Sequence, residues 1–258
     1  MMQVESFSQG KTQGKNEDFF GYNQNCFVIA DGATDKSGRQ YNGKTGGELV
    51  SKLVVKECLS TKLNGKSLVN HLNNKIKELY HQLNLLKDIK DPKFRFTCVF
   101  ICARVLRNEI IITYMADLGF RINEKKIHQK ENRININHAQ ERAKYIKKTG
   151  DIPGGRNHIL PLLEKQFRYQ NNSRSPLGYG ALDGTKTPLR FIKTFKFNRT
   201  GIKKIELFTD GYFSIPPKAT IKGWEELHRK VEKEDPDKWK KYLSTKPKDD
   251  RTIAIIIF

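Results

Sequence analysis

The sequence predicts an α+β fold in which helices cover antiparallel sheet, not a doubly wound parallel sheet. Three observations predict it: a short apolar run closed by Asp-Gly at residues 26–32, two helical segments directly after it, and a long β-branched and aromatic block at 94–122. The run CFVIA reads as a buried strand that delivers Asp31 to a turn. From Thr45 the chain turns helical, and Leu68, Leu72, Ile76, Leu79, Leu83 and Leu86 recur at helical spacing over 66–86. That stripe has to pack on something larger. In the block 94–122 the turn signal Arg107-Asn108 separates two apolar runs, which predicts a hairpin passing into a third strand. Between Asn123 and Asn172 the sequence becomes polar and basic, with helices expected near 138–149 and 157–169 around the breaker Asp151-Ile152-Pro153-Gly154-Gly155. Strands return at 190–197 and 203–208, a helical stretch is expected at about 222–243, and the chain closes on the strand RTIAIIIF.

The 258 residues, 37% hydrophobic, exclude a disordered tail; at roughly 150 residues per domain, one core over 1–258 is expected, with 123–172 as a helical excursion. No run approaches the roughly 18 apolar residues of a transmembrane helix, and the opening MMQVESFSQGKTQG lacks the apolar segment of a signal peptide, so no membrane association and a cytoplasmic location are expected. Cys26, Cys58, Cys98 and Cys102 lie on apolar stretches without a CxxC pair and read as buried free thiols. The six histidines form no ligand-spaced pair and read as solvated, while Trp224 and Trp239 read as anchors of their segment against the sheet. A net charge of +20 favours polyanionic surroundings, such as nucleic acid or anionic substrates, or reflects a Lys-rich source.

Acidic residues stand where strands meet turns: Glu17-Asp18, Asp31, Asp117, Asp210 and Asp249-Asp250. A carboxylate at a buried strand end is poorly solvated, so several converging there would repel one another unless cations neutralised them. Clustered hard oxygens suit Mg²⁺ or Mn²⁺. Taken singly, each Asp-Gly is an ordinary turn dipeptide; the combination and its order are what discriminate.

The segments NED, VIADGAT, TCVF, ADLG, IELFTDGY and DDRTIAIII, in that order from Lys15 to Phe258, resemble the metal-dependent protein phosphatases of the protein phosphatase 2C family. The resemblance implies a four-layer α/β/β/α sandwich, two antiparallel sheets flanked by helices, with two metal ions, Mg²⁺ or Mn²⁺, at one end. It implies that Asp31 bridges both metals, that Asp210 and Asp249 complete the first, and that Glu17, Asp18 and the Gly32 carbonyl serve the second. Asp117 resembles the aspartate of a third, looser metal, although the glycine before it is Ala116 here. The implied activity is serine/threonine phosphoprotein dephosphorylation by a metal-bridged hydroxide attacking phosphorus in line. No phosphoenzyme is called for, and no Cys-x5-Arg nucleophile loop, GxSxG elbow or Walker glycine-lysine loop is expected in the chain.

Two departures bear on rate and affinity. Gln13 stands where many members carry a phosphate-holding Arg, leaving Lys11 and Lys15 as the phosphate-binding candidates; Lys lacks the bidentate fork. Ala33, followed by Thr34, stands where some members have a general-acid His. These departures motivate the alternative of a catalytically weak or inactive binding module for a phosphoprotein or nucleic acid; a metal-dependent nuclease shares the metal logic but not the motif order. The substrate implied is a phosphorylated protein, with nucleic acid not favoured. In the basic excursion, residues such as Lys125, Lys126, Lys130, Arg142, Lys144 and Arg156 outnumber the acids, which predicts either a cationic rim that steers anionic substrate or a solvated helical face.

Overall fold

The structure, a computed structural model, describes residues 2–33, 38–129 and 132–258. Thr34 and Lys130 of the sequence reading lie outside the described residues. In chain order the elements are β1 (Gln3–Gln9), β2 (Asp18–Tyr22), β3 (Cys26–Ala33), α1 (Gly46–Ser60), α2 (Gly65–Gln82), β4 (Thr97–Val105), β5 (Glu109–Tyr114), β6 (Gly119–Ile122) and β7 (Lys126–Gln129). They continue as α3 (Arg133–Thr149), α4 (Gly154–Lys165), β8 (Lys193–Asn198), β9 (Lys204–Phe208), α5 (Ile221–Glu234) and β10 (Arg251–Ile257). Two five-stranded sheets result, β1-β10-β9-β6-β7 and β2-β3-β4-β5-β8, with antiparallel pairing throughout. This is the expected α+β sandwich. No helix among the described residues is long and apolar enough to cross a membrane.

The continuous apolar runs follow from burial on both faces. Along β3, Phe27 and Ile29 join the core between the sheets, while Cys26, Val28 and Ala30 face the core under α1 and α2. Along β10, Ala254 and Ile256 face the other sheet, whereas Ile253 and Ile255 pack with Phe208 and Trp224 of α5. Each fully buried aliphatic side chain is worth about 1.5–3 kcal/mol, and a one-residue slip would exchange the two faces, so the register is strongly specified. The four cysteines are buried free thiols.

Several boundaries differ from the sequence reading, each for a physical reason. CFVIA is the third strand, and two strands that the sequence reading does not contain, β1 and β2, precede it at a sheet edge each, where their mixed polar composition gives no apolar signal. Helix α2 stops at Gln82, so Leu86 lies beyond it and is exposed. Helix α5 ends at Glu234 rather than near 243, because the Asp235 carboxylate accepts the backbone N–H groups of Trp239, Lys240, Lys241 and Tyr242 and folds that segment back on the helix end. Trp224 is fully buried as expected, but Trp239 is half-buried and belongs to no core cluster. The breaker at 151–155 is shorter than expected: Gly154 and Gly155 are helical, and a Cβ on Gly155 would sit 2.7 Å from Ile146, the close approach that lets α4 pack on α3. Nor are all histidines solvated: His138 is buried, with its pKa lowered chiefly by that burial, and the His128 ring stacks 4.5 Å from Phe120.

Candidate active site

The acidic residues reach one end of the sandwich from five strand termini. Asp18 and Asp31 are directly paired across β2 and β3, an arrangement of like charges that is unfavourable unless one is neutralised. Asp117 sits between β5 and β6, Asp210 just after β9, and Asp249 just before β10, the neighbour of β9. Asp31, Asp117, Asp210 and Asp249 line one cavity of about 450 Å³ together with Glu17, Gly32 and Lys11. Gly32 is required sterically: a Cβ there would lie 2.4 Å from the Gly47 carbonyl oxygen at the start of α1. That close approach is fixed from both sides, since the Gly32 N–H donates to the Glu17 carbonyl at 3.0 Å and the Thr45 hydroxyl, which caps α1 by accepting the Glu48 N–H, donates to the Glu17 carboxylate at 2.6 Å.

Burial and mutual repulsion disfavour the ionised carboxylates. Burial pushes Asp18 from an ordinary 3.8 up to about 7; the Asp249 and Asp250 charges add to this, and the Thr252 and Thr209 hydroxyls oppose it. Asp31 is raised well above the usual range by burial, then by Asp18, Asp210, Asp249 and Asp117; Asp210 is raised by burial, then by Asp117 and Asp249. Lys11 and Lys246 supply positive charge. Lys11 Nζ donates to Glu17 at 2.7 Å and to Asp250 at 3.1 Å, and Lys246 Nζ to Asp249 at 2.5 Å. Burial alone would lower the Lys246 pKa, but Asp249, and behind it Asp210 and Asp31, raise it.

Among the described residues, no three acidic, histidine or cysteine side chains are gathered so as to hold a metal ion as they stand. The donor chemistry nevertheless fits a hard divalent cation. The available ligands are oxygens, they repel one another, and Asp18, which lines the neighbouring groove rather than the cavity but is paired with Asp31, has its Oδ1 buried with no hydrogen-bond partner among the described residues.

Arg156 of α4, one of the cations of the basic excursion, lines the same cavity, and so do three residues that the sequence reading missed, Asn132, Asn135 and Gln166. The Asn135 amide donates to Asp117 Oδ2 at 3.4 Å, the Gln166 amide to Asn135 at 2.9 Å, and the Gln129 amide to the Asp117 carbonyl at 3.1 Å. No motif announces them, because amides scattered along a basic helix acquire this role only when the helix packs over the strand ends. Lys246, near the acidic pair 249–250, was the one signal within local reach. Of the two phosphate-binding candidates, Lys11 lines the cavity, while Lys15 is exposed and lines a neighbouring groove with Gln13. Lys144, Lys147 and Lys148 are exposed and line none of it, and Lys144 pairs with Glu141.

Ala116 adopts a φ of 57°, the left-handed conformation that glycine takes without strain. That conformation costs a residue with a Cβ about 1–2 kcal/mol, offset by about 0.4–1 kcal/mol of extra chain entropy that glycine would lose on folding. Ala116→Gly is therefore expected to raise stability by up to about 1.5 kcal/mol, read as a higher urea midpoint at unchanged slope.

Two spacings in the chain match phosphate loops that were not expected, and neither builds one. Cys98-x5-Arg104 has the spacing of a cysteine-phosphatase loop but lies along β4; burial, then the Asp31 charge, raises the Cys98 thiol well above its usual pKa, and Arg104 donates to the Cys58 carbonyl. Gly38–Thr45, GRQYNGKT, has the Walker spacing. Instead of a phosphate cradle it forms a tight turn, with Tyr41 and Lys44 exchanging backbone hydrogen bonds across Asn42 and Gly43, both at positive φ.

No family model matches the chain, and no curated protein matches it either. Solved structures do. The serine/threonine phosphatase Stp1 from Staphylococcus aureus superposes with a TM-score of 0.55 at 18% identity, covering 100% of this chain and 95% of that one. The serine/threonine phosphatase PstP from Mycobacterium tuberculosis gives 0.53 at 15% identity, covering 100% and 98%. A PstP catalytic domain in complex with 2 manganese ions gives 0.54 at 13% identity, covering 99% and 97%. From end to end, the chain has the two-sheet sandwich fold of the bacterial serine/threonine phosphatases of the protein phosphatase 2C type.

Proposed function

We propose that this protein is a Mg²⁺- or Mn²⁺-dependent serine/threonine phosphoprotein phosphatase, one domain over 1–258 acting in the cytoplasm. The observation that carries this reading is the convergence of Asp31, Asp117, Asp210 and Asp249 on one cavity, with the Asp18 carboxylate paired against Asp31 and its Oδ1 buried without a partner among the described residues. Two divalent cations held by Asp31, Asp210, Asp249, Glu17, Asp18 and the Gly32 carbonyl, with a looser third at Asp117, would neutralise phosphate oxygens and lower the pKa of attacking water.

The protein's own groups do the rest. Asp31, opposite Asp18 and facing Asp210, is the bridging candidate; the Asn135 amide orients Asp117; and Lys11, Lys246 and Arg156 place positive charge where a phosphate dianion enters. Helices α3 and α4 wall the cavity with Ile136, Ala139 and Leu163, limiting water around the phosphate. Ala33 supplies no proton, so the leaving alkoxide takes one from water or from a neighbouring group.

Hydrolysis of a small phosphomonoester should require Mn²⁺ or Mg²⁺ and vanish in chelator, with no cleavage of nucleic acid. Full turnover in chelator would overturn the proposal, and absence of turnover with both metals would favour the binding-module reading that Gln13 and Ala33 motivate. Gln13→Arg is expected to lower KM by an amount worth about 1 kcal/mol if a charge-assisted contact forms. An unchanged KM in steady-state kinetics would leave that role to Lys11 or Arg156.

A further inference from the structure

A second cavity, of about 380 Å³, adjoins the acidic one and shares Ala116, Asn132 and Tyr179 with it. Its character is opposite. Phe191, Leu177 and Tyr179 contribute apolar surface, three exposed cations, Arg133, Arg190 and Lys193, line its edge, and no acidic residue lines it among those described. Arg190 is held in place: its guanidinium donates to the Ser173 carbonyl and, at 2.7 Å, to the Ser175 carbonyl, and it lies 4.7 Å over the Phe191 ring. Two of its five N–H donors are thereby used and its charge is not. Among the described residues none of the three cations makes an ion pair, in a chain where sixteen salt bridges are otherwise formed between described side chains. Three like charges around one small concavity repel one another until an anion enters.

We propose that this cavity binds an anionic group carried by the substrate next to the phosphoester that reacts in the first cavity: a second phosphate, or an Asp or Glu side chain, of the same peptide. The inference rests on the phosphatase reading of the first cavity and adds a substrate preference to it. Because the two cavities share a wall, the second anion belongs roughly one to three residues along the chain, each residue of extended peptide advancing about 3.3 Å. A phosphate fits the site better than a carboxylate does, since its extra charge and oxygens can engage Arg133, Arg190 and Lys193 together.

The test uses three phosphoserine peptides that differ only two residues from the phosphoserine, where they carry a second phosphoserine, Glu or Gln. The wild-type protein is expected to favour the doubly phosphorylated peptide over the Gln peptide by about fivefold in kcat/KM, the scale of an exposed charge contact, with Glu between. Arg133→Gln combined with Lys193→Gln, two side chains with no hydrogen bond among the described residues, should erase the preference and leave p-nitrophenyl phosphate turnover unchanged; Arg133→Glu with Lys193→Glu should invert it toward a Lys-flanked peptide. Affinity for non-hydrolysable phosphonate versions of the same peptides, measured in Mn²⁺ by fluorescence anisotropy, reads the cavity without turnover. If nothing is hydrolysed but the affinity order holds and is lost in the double variant, the phosphatase reading fails and the anion site stands. Equal affinity for all three peptides, or a preference that survives the double variant, overturns the anion site whatever the turnover.

Discussion

Asp31→Asn is expected to abolish phosphomonoesterase activity, by roughly a thousandfold or more, because on the proposed function it removes the carboxylate that would be shared by two cations and with it the several kcal/mol of charge stabilisation they would supply. Mn²⁺ affinity, measured calorimetrically, should fall in parallel, whereas the fold should persist. In chelator the variant should be more stable than the parent at neutral pH, since Asp31 is disfavoured in its charged form by burial and by Asp18, Asp210, Asp249 and Asp117. The sign of the pH dependence follows. Asp18 has a folded-state pKa raised from 3.8 to about 7, so the folded state binds the proton more tightly than the unfolded chain does. Its favourable contribution is fully present below about pH 3.8 and is lost as the pH rises through about 7. The Tm of the metal-free parent should therefore decline across that window, less so in Asp31→Asn, and Mn²⁺ should abolish the decline. Equal activity and Mn²⁺ affinity in Asp31→Asn would remove Asp31 from the site.

Glu206→Ala is expected to cost about 3–5 kcal/mol, a large part of the roughly 5–15 kcal/mol available to a domain. Glu206 of β9 pairs across the strand with Arg121 of β6, and both are buried. The guanidinium makes a fork onto the carboxylate at 2.5 and 2.6 Å and spends its remaining arm on the Pro216 carbonyl at 2.6 Å, while the Trp224 indole donates to Glu206 at 2.8 Å. Removing the acid leaves a buried, unpaired guanidinium and frees both α5 and the segment that follows Asp210. Replacing both partners, Arg121→Met with Glu206→Leu, should recover most of the loss, because no uncompensated charge then remains. Urea unfolding of the two singles and the double separates the pair energy from packing; a single variant within about 1 kcal/mol of the parent would mean that water reaches the guanidinium.

Much of this arrangement can be read along the chain. Asp31, Asp117, Asp210 and Asp249 each sit beside an apolar run long enough to be a strand, and a strand buried on both faces advertises itself by composition alone. The cap at Thr45, the Leu68-Leu72-Ile76 stripe and the Arg107-Asn108 turn are equally local, settled by bonds and contacts within a few residues. β1 and β2 were missed because an edge strand half open to solvent needs no apolar composition, and α5 was overextended because the Asp235 carboxylate stops it through amides that come later in the chain. The helical continuation was a fair reading of local propensity; a tertiary hydrogen-bond set overrode it.

Hydrophobic period and turn residues are properties of neighbours, so chain order alone marks Asp31, Asp117, Asp210 and Asp249 as carboxylates at strand ends. What those ends face is set by packing between distant segments. The Asp18–Asp31 pairing is a matter of register between strands, the Lys246 and Arg156 charges reach the cavity from loop and helix segments that no period marks, and GRQYNGKT became a tight turn despite its spacing. A motif specifies side chains in order along a chain, whereas a site depends on distances between segments far apart in it, and those distances are fixed by how the two sheets and their helices bury apolar surface together.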